Sequence, residues 1–152
     1  MAVMATYDEL SVGDSFDTPT VTVDDDTVRT LIGTGGYTHP LFVDEAYAAA
    51  SPFGRTPLPG QAVLLLLGGL VERSGRFDRT VVALTGFDDV RFRAPAFAGD
   101  TLRGTVEILA KEPSSNGARG TLVMAWRCTN SDGTTIATAT ARMLFRRDGT
   151  GS

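Results

Sequence analysis

The chain is poor in the two residue types that most often build covalent and metal-bound sites. Its 152 residues include one cysteine, Cys128, and one histidine, His39. A single cysteine excludes an internal disulfide and a multi-cysteine metal site, and a single histidine excludes a metal site built on several imidazoles. The sequence therefore predicts no metal and no cofactor. Its cysteine usage fits a reducing compartment, and we expect a cytoplasmic protein.

Positive charge and long apolar runs are also scarce. The chain has 14 Lys and Arg against 18 Asp and Glu, a net charge of −4, whereas a general nucleic-acid-binding protein presents a basic patch. The longest apolar run, Ala62 to Val71, is about half of the roughly 20 residues that span a bilayer. We expect no nucleic-acid partner, no membrane partner, one domain over residues 1–148 and a frayed tail at 149–152.

The first half of the chain predicts one strand and three helices. Asp24 or Thr22 can cap the first helix, and Asp44 can cap the second. The third helix is so apolar that we expect it to be buried nearly all round. The predicted ranges are a strand at 14–23 and helices at 22–33, 45–51 and 60–74.

The second half predicts four long antiparallel strands, because β-branched and aromatic residues alternate between turn signals such as Asn116-Gly117. A long sheet wrapped around one apolar helix is the simplest arrangement that buries the helix. This is the α+β hotdog architecture. Such a sheet leaves an edge strand to pair or cover, so we expect a homodimer. The predicted strands are 80–97, 101–113, 120–130 and 134–147.

Four segments resemble the MaoC-like acyl dehydratases, also called (R)-specific enoyl-CoA hydratases, in order and spacing over nearly the whole chain. The most specific stretch is Pro95 to Leu102. The resemblance implies the hotdog fold and an activity on acyl thioesters of coenzyme A or acyl carrier protein, in fatty acid or polyketide metabolism. The four segments are residues 21–48, 51–60, 90–108 and 130–144.

The loop "TGGYTHPLF", residues 34–42, departs from the family pattern at the residues that carry its chemistry. The family loop is Gly-Asp-x-Asn-Pro-(Ile/Leu)-His, whose Asp and His activate a water. Aligned without a gap, Tyr37 stands at the Asp position and Phe42 at the His position. Phe42 cannot transfer a proton, and a phenol is a poor base at neutral pH. His39 is the one imidazole, so His39 and Tyr37 are the candidate catalytic residues.

The resemblance also implies that a backbone amide at the start of the long apolar helix polarises the thioester carbonyl. Gly60 allows close backbone approach, and a helix N-terminus offers free N–H groups. The candidate oxyanion and substrate-binding residues are therefore Gly60, Gln61, Phe42 and Thr38. The family often has His-Gly before this helix, whereas this chain has Pro59-Gly60.

Three functional hypotheses remain open. The first is an acyl-thioester lyase, a hydratase or dehydratase with an atypical site in which His39 is the acid–base residue and Tyr37 a donor. The second is an isomerase- or cyclase-type tailoring enzyme of polyketide or lipid metabolism. The third is a non-catalytic subunit that forms a heteromer with a dyad-bearing subunit. Ordinary roles compete with all three: a loop hydrogen bond for His39, packing for Tyr37 and a tight turn for Gly60.

Overall fold

A computed structural model describes residues 4–77 and 79–147, which form one five-stranded antiparallel sheet with four helices. The strand order is β1-β3-β4-β5-β2, so the hotdog architecture predicted from the sequence is confirmed. The elements follow one another as β1 Ser15–Thr22, α1 Asp25–Gly35, α2 Pro40–Val43, α3 Glu45–Ala50, α4 Gly60–Arg73, β2 Val81–Phe92, β3 Thr101–Pro113, β4 Arg119–Asn130 and β5 Thr135–Arg146. Residues 149–152, where a frayed tail was expected, lie outside the described residues, as does residue 148.

Two aspartates set where the first helices begin. Asp24 Oδ1 accepts a hydrogen bond from the Thr27 N–H at 2.7 Å, so Asp24 rather than Thr22 caps α1. Hydrogen bonds with Thr27 lower the pKa of the Asp24 carboxyl below its ordinary value, the side-chain hydrogen bond contributing more than the backbone one. Asp44 Oδ1 accepts from the N–H groups of Ala46 and Tyr47, as predicted for α3. Both helices therefore begin where a side chain can satisfy free backbone donors.

The expectation that α4 is buried nearly all round is wrong for the chain on its own. The sheet covers one side of the helix, and its other side carries an exposed stripe at helical spacing. Leu65 has 63% of its surface exposed. No helix of residues 4–77 and 79–147 is long and apolar enough to cross a membrane. The exposed residues of α4 are Gln61, Leu65, Gly69, Glu72 and Arg73.

Two boundaries also differ from the prediction. The strand expected over residues 80–97 ends at Phe92, because the backbone turns away before Pro95, which has no N–H to give to a sheet ladder. The loop of residues 34–42 contains the start of a short unpredicted helix, α2, with Pro40 in its first position. Proline suits that position, since the first N–H of a helix has no partner within the helix.

A glycine on β3 lets α4 approach the sheet closely. A Cβ built on Gly104 would lie 2.8 Å from Leu67 Cδ1 and 3.0 Å from Thr18 Cγ2. The Gly104 N–H donates to Thr18 Oγ1 at 2.8 Å, at a register shift of β1. Leu67 and Leu70 of α4 are fully buried in the core that forms between this helix and the sheet. The glycine at position 104 therefore determines how closely α4 packs on the sheet.

We predict that Gly104→Ala lowers the free energy of unfolding by about 1–3 kcal/mol, the usual cost of overpacking a core. The added methyl group displaces Leu67 or Thr18, which have little room to move. Urea denaturation measures the change. Arg103→Ala, the exposed neighbour on the other face of β3, is the control and should change stability by less than about 0.5 kcal/mol. Equal stability of the two variants would contradict this account of α4 packing.

Candidate functional site

Residues 34–42 leave α1 through two glycines that serve different purposes. Gly36 has a φ of 72° and ends α1 in the left-handed conformation that glycine adopts without strain. A Cβ on Gly35 would lie 2.5 Å from Tyr37 Cε2, so this glycine makes room for the tyrosine ring. The Tyr37 N–H donates back to Ile32 O at 3.1 Å. Together these features direct Tyr37 against the end of α1.

The structure brings three of the candidate site residues together at the start of α4. Tyr37 Oη donates a hydrogen bond to Gln61 Oε1 at 3.0 Å. The Tyr37 and Phe42 rings meet edge-on, with their centroids 5.1 Å apart. The residues aligned with the family's Asp and His are thus in contact. Because Oε1 of Gln61 accepts from Tyr37, the amide NH₂ of Gln61 is left as a donor for another group.

His39 and Thr38 lie apart from this group. His39 caps α2: its Nδ1 accepts from the Leu41 N–H at 3.1 Å, and its ring packs edge-on against Tyr47 with centroids 5.7 Å apart. Both His39 and Thr38 are exposed, and neither lines the two cavities of this region. The role of His39 as an acid–base residue stays a prediction.

The first turn of α4 offers backbone donors. The N–H groups of Ala62 and Val63 donate to Pro59 O at 2.9 and 3.2 Å, and no side chain caps the helix. Within residues 4–77 and 79–147, the backbone N–H groups of Gly60 and Gln61 make no hydrogen bond. Three carbons of the Phe92 ring lie 3.2 Å from the place of a Gly60 Cβ, so this ring faces the glycine closely.

Two cavities adjoin this group, and Phe42 lines both. The first, here called the α1 cavity, has a volume of about 960 Å³ and is lined by Tyr37 and by the carboxylates of Asp24, Asp25 and Glu45. The second, the α4 cavity, has a volume of about 330 Å³ and is largely apolar. It is lined by Phe42, Phe53, Phe92, Gly60 and Val63, among others. The α4 cavity contains the free end of α4.

Several charged and core residues outside this group have structural roles. Arg91 pairs with Asp89 at 2.9 Å, and Asp88 pairs with Arg142 at 2.8 Å. Burial raises the pKa of the Cys128 thiol to about 11, which keeps it an unreactive core residue at neutral pH. In the described part of the chain, no three His, Cys, Asp or Glu side chains are grouped as metal ligands.

Sequence reasoning missed Phe53 and Phe92 as cavity residues. Phe92 lies in a segment that carries the family resemblance, so the resemblance could have indicated that Phe92 lies near the site. Phe53 lies in the loop before α4, and nothing in its local pattern distinguishes a cavity wall from an exposed loop residue. The contact of Phe92 with Gly60 depends on how β2 ends beside the helix, which no local pattern specifies.

The fold and this site define a hotdog protein whose central helix begins at an apolar cavity. Residues 9–125 match the family model of the MaoC like domain, and the chain belongs to that family. No curated protein matches the chain. The match to the family model covers more than half of the sequence.

Solved structures similar to the chain support the fold. A monoamine oxidase regulatory protein from Archaeoglobus has a TM-score of 0.88 at 26% identity, over 97% of this chain and 98% of that one. The unliganded R-hydratase PhaJ1 from Pseudomonas aeruginosa has a TM-score of 0.77 at 24% identity, over 94% and 86%. The HadBC (3R)-hydroxyacyl-ACP dehydratase complex from Mycobacterium tuberculosis has a TM-score of 0.71 at 21% identity, over 88% and 96%.

We predict that Gly35→Ala lowers the free energy of unfolding by about 1–3 kcal/mol, because the new methyl group collides with the Tyr37 ring. The ring is fixed by Phe42 and Gln61, so it has no free direction in which to move. Thermal or urea denaturation measures the change.

Gly33→Ala provides the matched comparison in the same helix. A Cβ at Gly33 meets nothing within 4 Å, so alanine should raise the free energy of unfolding by about 0.5–1 kcal/mol through its better helix propensity. If both variants shift stability in the same direction, Gly35 is not the residue that accommodates Tyr37.

Proposed function

We propose that this protein acts on acyl thioesters of coenzyme A or acyl carrier protein, as a hydratase- or dehydratase-family member with an atypical active site. The observation that carries the proposal is the free start of α4 inside the α4 cavity. The N–H of Gly60, which lines this cavity, and that of Gln61, the next residue, make no hydrogen bond within residues 4–77 and 79–147 and are available to an anionic oxygen. Such donors stabilise the enolate-like oxygen that forms on a thioester carbonyl and typically contribute about 2.7–4 kcal/mol each.

The side chains beside these amides extend the donor set. The Tyr37 hydroxyl donates to Oε1 of Gln61, which leaves the Gln61 NH₂ as a donor. Hydrogen-bond donors fixed in advance stabilise developing negative charge without having to reorganise. We therefore assign carbonyl recognition to Gly60 and Gln61, orientation of Gln61 to Tyr37, and an apolar wall to Phe42.

The water-handling half of the family's site is replaced. Tyr37 acts as a donor, and Phe42 has no titratable group. The remaining acid–base candidate is His39, whose Nε2 is opposite the Nδ1 that accepts from Leu41. His39 would have to leave its contact with Tyr47 to reach a substrate at α4. This geometry favours slow hydration by the chain alone.

A partner-dependent role is the second candidate function. It is favoured by the replacement of both dyad positions on one loop whose surrounding frame is kept. The similar structure from Mycobacterium tuberculosis is a complex of HadB and HadC by its printed name. In a heteromer of that kind, this chain would bind the acyl group while the other subunit supplied the proton-transfer residues.

We further propose that the chain forms a homodimer through β2. This 12-residue strand lies at one edge of the sheet and carries exposed apolar side chains, including Val82 and Leu84. The opposite edge, β1, is shorter and contains Pro19 and a register shift, features that discourage strand pairing. An antiparallel strand can pair with its own copy about a two-fold axis.

We also propose that the protein is cytoplasmic.

We predict that the purified protein binds crotonyl-CoA but hydrates it about 10²–10⁴-fold more slowly than a dyad-bearing hydratase, the usual contribution of general acid–base catalysis. Calorimetry measures binding, and the loss of enoyl absorbance measures turnover. The double variant Tyr37→Asp with Phe42→His should hydrate faster than the wild type, because it restores a base and an acid at the family positions.

The outcomes separate the alternatives. An absence of binding by crotonyl-CoA and by the ring-bearing acyl-CoA thioesters tested below would refute the proposed function. Hydration by the wild type at the rate of the dyad-bearing control would show that another group handles water, and His39→Ala would then decide whether that group is His39. Thr34→Ala is the control for His39→Ala, because Thr34 is exposed on the same segment of residues 34–42 and lines neither cavity.

We predict that Leu84→Glu converts a homodimer into a monomer in sedimentation velocity, because it places like charges on both copies of a self-paired strand. Leu84 is 46% exposed, and Leu109 of β3 is 41% exposed. Leu109→Glu is therefore a matched control that should leave the dimer intact. A monomeric wild type, or a dimeric Leu84→Glu variant, would contradict pairing through β2.

A further inference from the structure

The α4 cavity is walled by aromatic rings from three separate elements. Phe42 comes from α2, Phe53 from the loop before α4, and Phe92 from the last position of β2. Pro57, Pro59 and Pro95 add further flat apolar surface. Arg93 is the single charged residue among the described residues that line this cavity. An occupant therefore meets apolar and aromatic walls and few polar partners.

The aromatic walls remain open to solvent in part. Phe53 is 42% exposed and Phe92 is 50% exposed. The two rings thus retain apolar surface that a bound group can cover, and covering such surface is favourable. The Phe42 ring is already held edge-on by Tyr37, so one wall of the cavity is fixed before anything binds.

The size of the cavity limits what can enter it. Its volume of about 330 Å³ lies near the lower end of the roughly 300–1,000 Å³ of typical ligand pockets. Val63 of α4 and Leu58 also line it, and both are buried in the core. A long aliphatic chain would have to displace these core residues, whereas a short or flat group would not.

Ring geometry distinguishes among short groups. Aromatic pairs in edge-to-face or offset-stacked arrangements gain energy beyond the area they bury. Phe92 turns its face toward Gly60, with three ring carbons equally close to the glycine. A planar acyl group whose carbonyl lies at the Gly60 and Gln61 amides would therefore lie beside ring faces and edges on more than one side.

We infer that the α4 cavity selects acyl thioesters with a short, planar aromatic acyl group over aliphatic ones of equal size. The preference rests on the proposed thioester-binding function and adds the substrate class. Phe53 is its specificity-determining residue, since its partly exposed ring comes from the loop before α4 and belongs neither to residues 34–42 nor to the sheet.

The test compares two thioesters that differ only in the ring. Calorimetry gives the dissociation constants of cinnamoyl-CoA and of 3-cyclohexylacryloyl-CoA with the full chain. The cyclohexyl ring is the more apolar of the two, so burial of apolar area alone would favour it. We expect the reverse, with cinnamoyl-CoA bound about 2- to 10-fold more tightly through ring contacts.

Two variants locate the preference. Phe53→Leu keeps an apolar side chain but removes the ring, and it should abolish the difference between the two thioesters. Phe97→Leu removes a ring that stacks on Arg55 and lines neither cavity, and it should keep the difference. Circular dichroism checks that both variants fold.

Each result bears on one proposal. If crotonyl-CoA and both ring-bearing thioesters fail to bind the wild type, the thioester function falls, and the aromatic preference falls with it. If crotonyl-CoA binds but the cyclohexyl thioester equals or exceeds the cinnamoyl thioester, the aromatic preference alone is overturned. A preference that survives Phe53→Leu would remove Phe53 from the specificity role.

Discussion

The close packing of α4 on the sheet is the constraint on which the rest of the molecule depends. Leu67 fits over the bare backbone of Gly104, and the Leu58 N–H donates to Ala96 O at 2.8 Å just before the helix begins. These contacts fix both the depth of the helix and the place of its first turn. Since backbone amides cannot move independently of their helix, the orientation of the N–H groups that we propose to bind a carbonyl follows from core packing rather than from local flexibility.

The loop of residues 34–42 packs against the start of α4. Gly35 and Gly36 turn the chain so that the Tyr37 hydroxyl reaches Gln61, and Phe42 completes an apolar wall shared by the two cavities. One hydrogen bond, from Tyr37 to Gln61, and one ring contact, between Tyr37 and Phe42, therefore hold the loop against the start of α4. His39 lies outside this group, with its ring packed against Tyr47.

Much of the fold was predictable because its signals are local. Asp24 and Asp44 mark helix starts, and the alternation of apolar residues marks the strands. The errors have a common physical origin. The burial of α4 and the end of β2 are decided by which surfaces meet in three dimensions, and Leu65 and Phe92 have the same sequence pattern whether they are covered or exposed.

The site was predictable to the extent that it follows the family frame. Tyr37, Phe42, Gly60 and Gln61 do meet, since their spacing matches a known loop and helix. His39 does not join them, because its direction depends on the cap it forms for α2. Phe53 was missed because it comes from a loop whose path no periodicity describes.

The space beneath Tyr37 also bears on how this loop can evolve. Gly35 accommodates the tyrosine ring, and Gln61 takes its hydrogen bond from the hydroxyl. Tyr37→Asp alone would remove both the ring that packs beside Gly35 and the hydroxyl that donates to Gln61. The roles of Gly35 and Gln61 therefore depend on a tyrosine at position 37. Substitutions at positions 35, 37 and 61 are expected to be non-additive, so the three positions constrain one another.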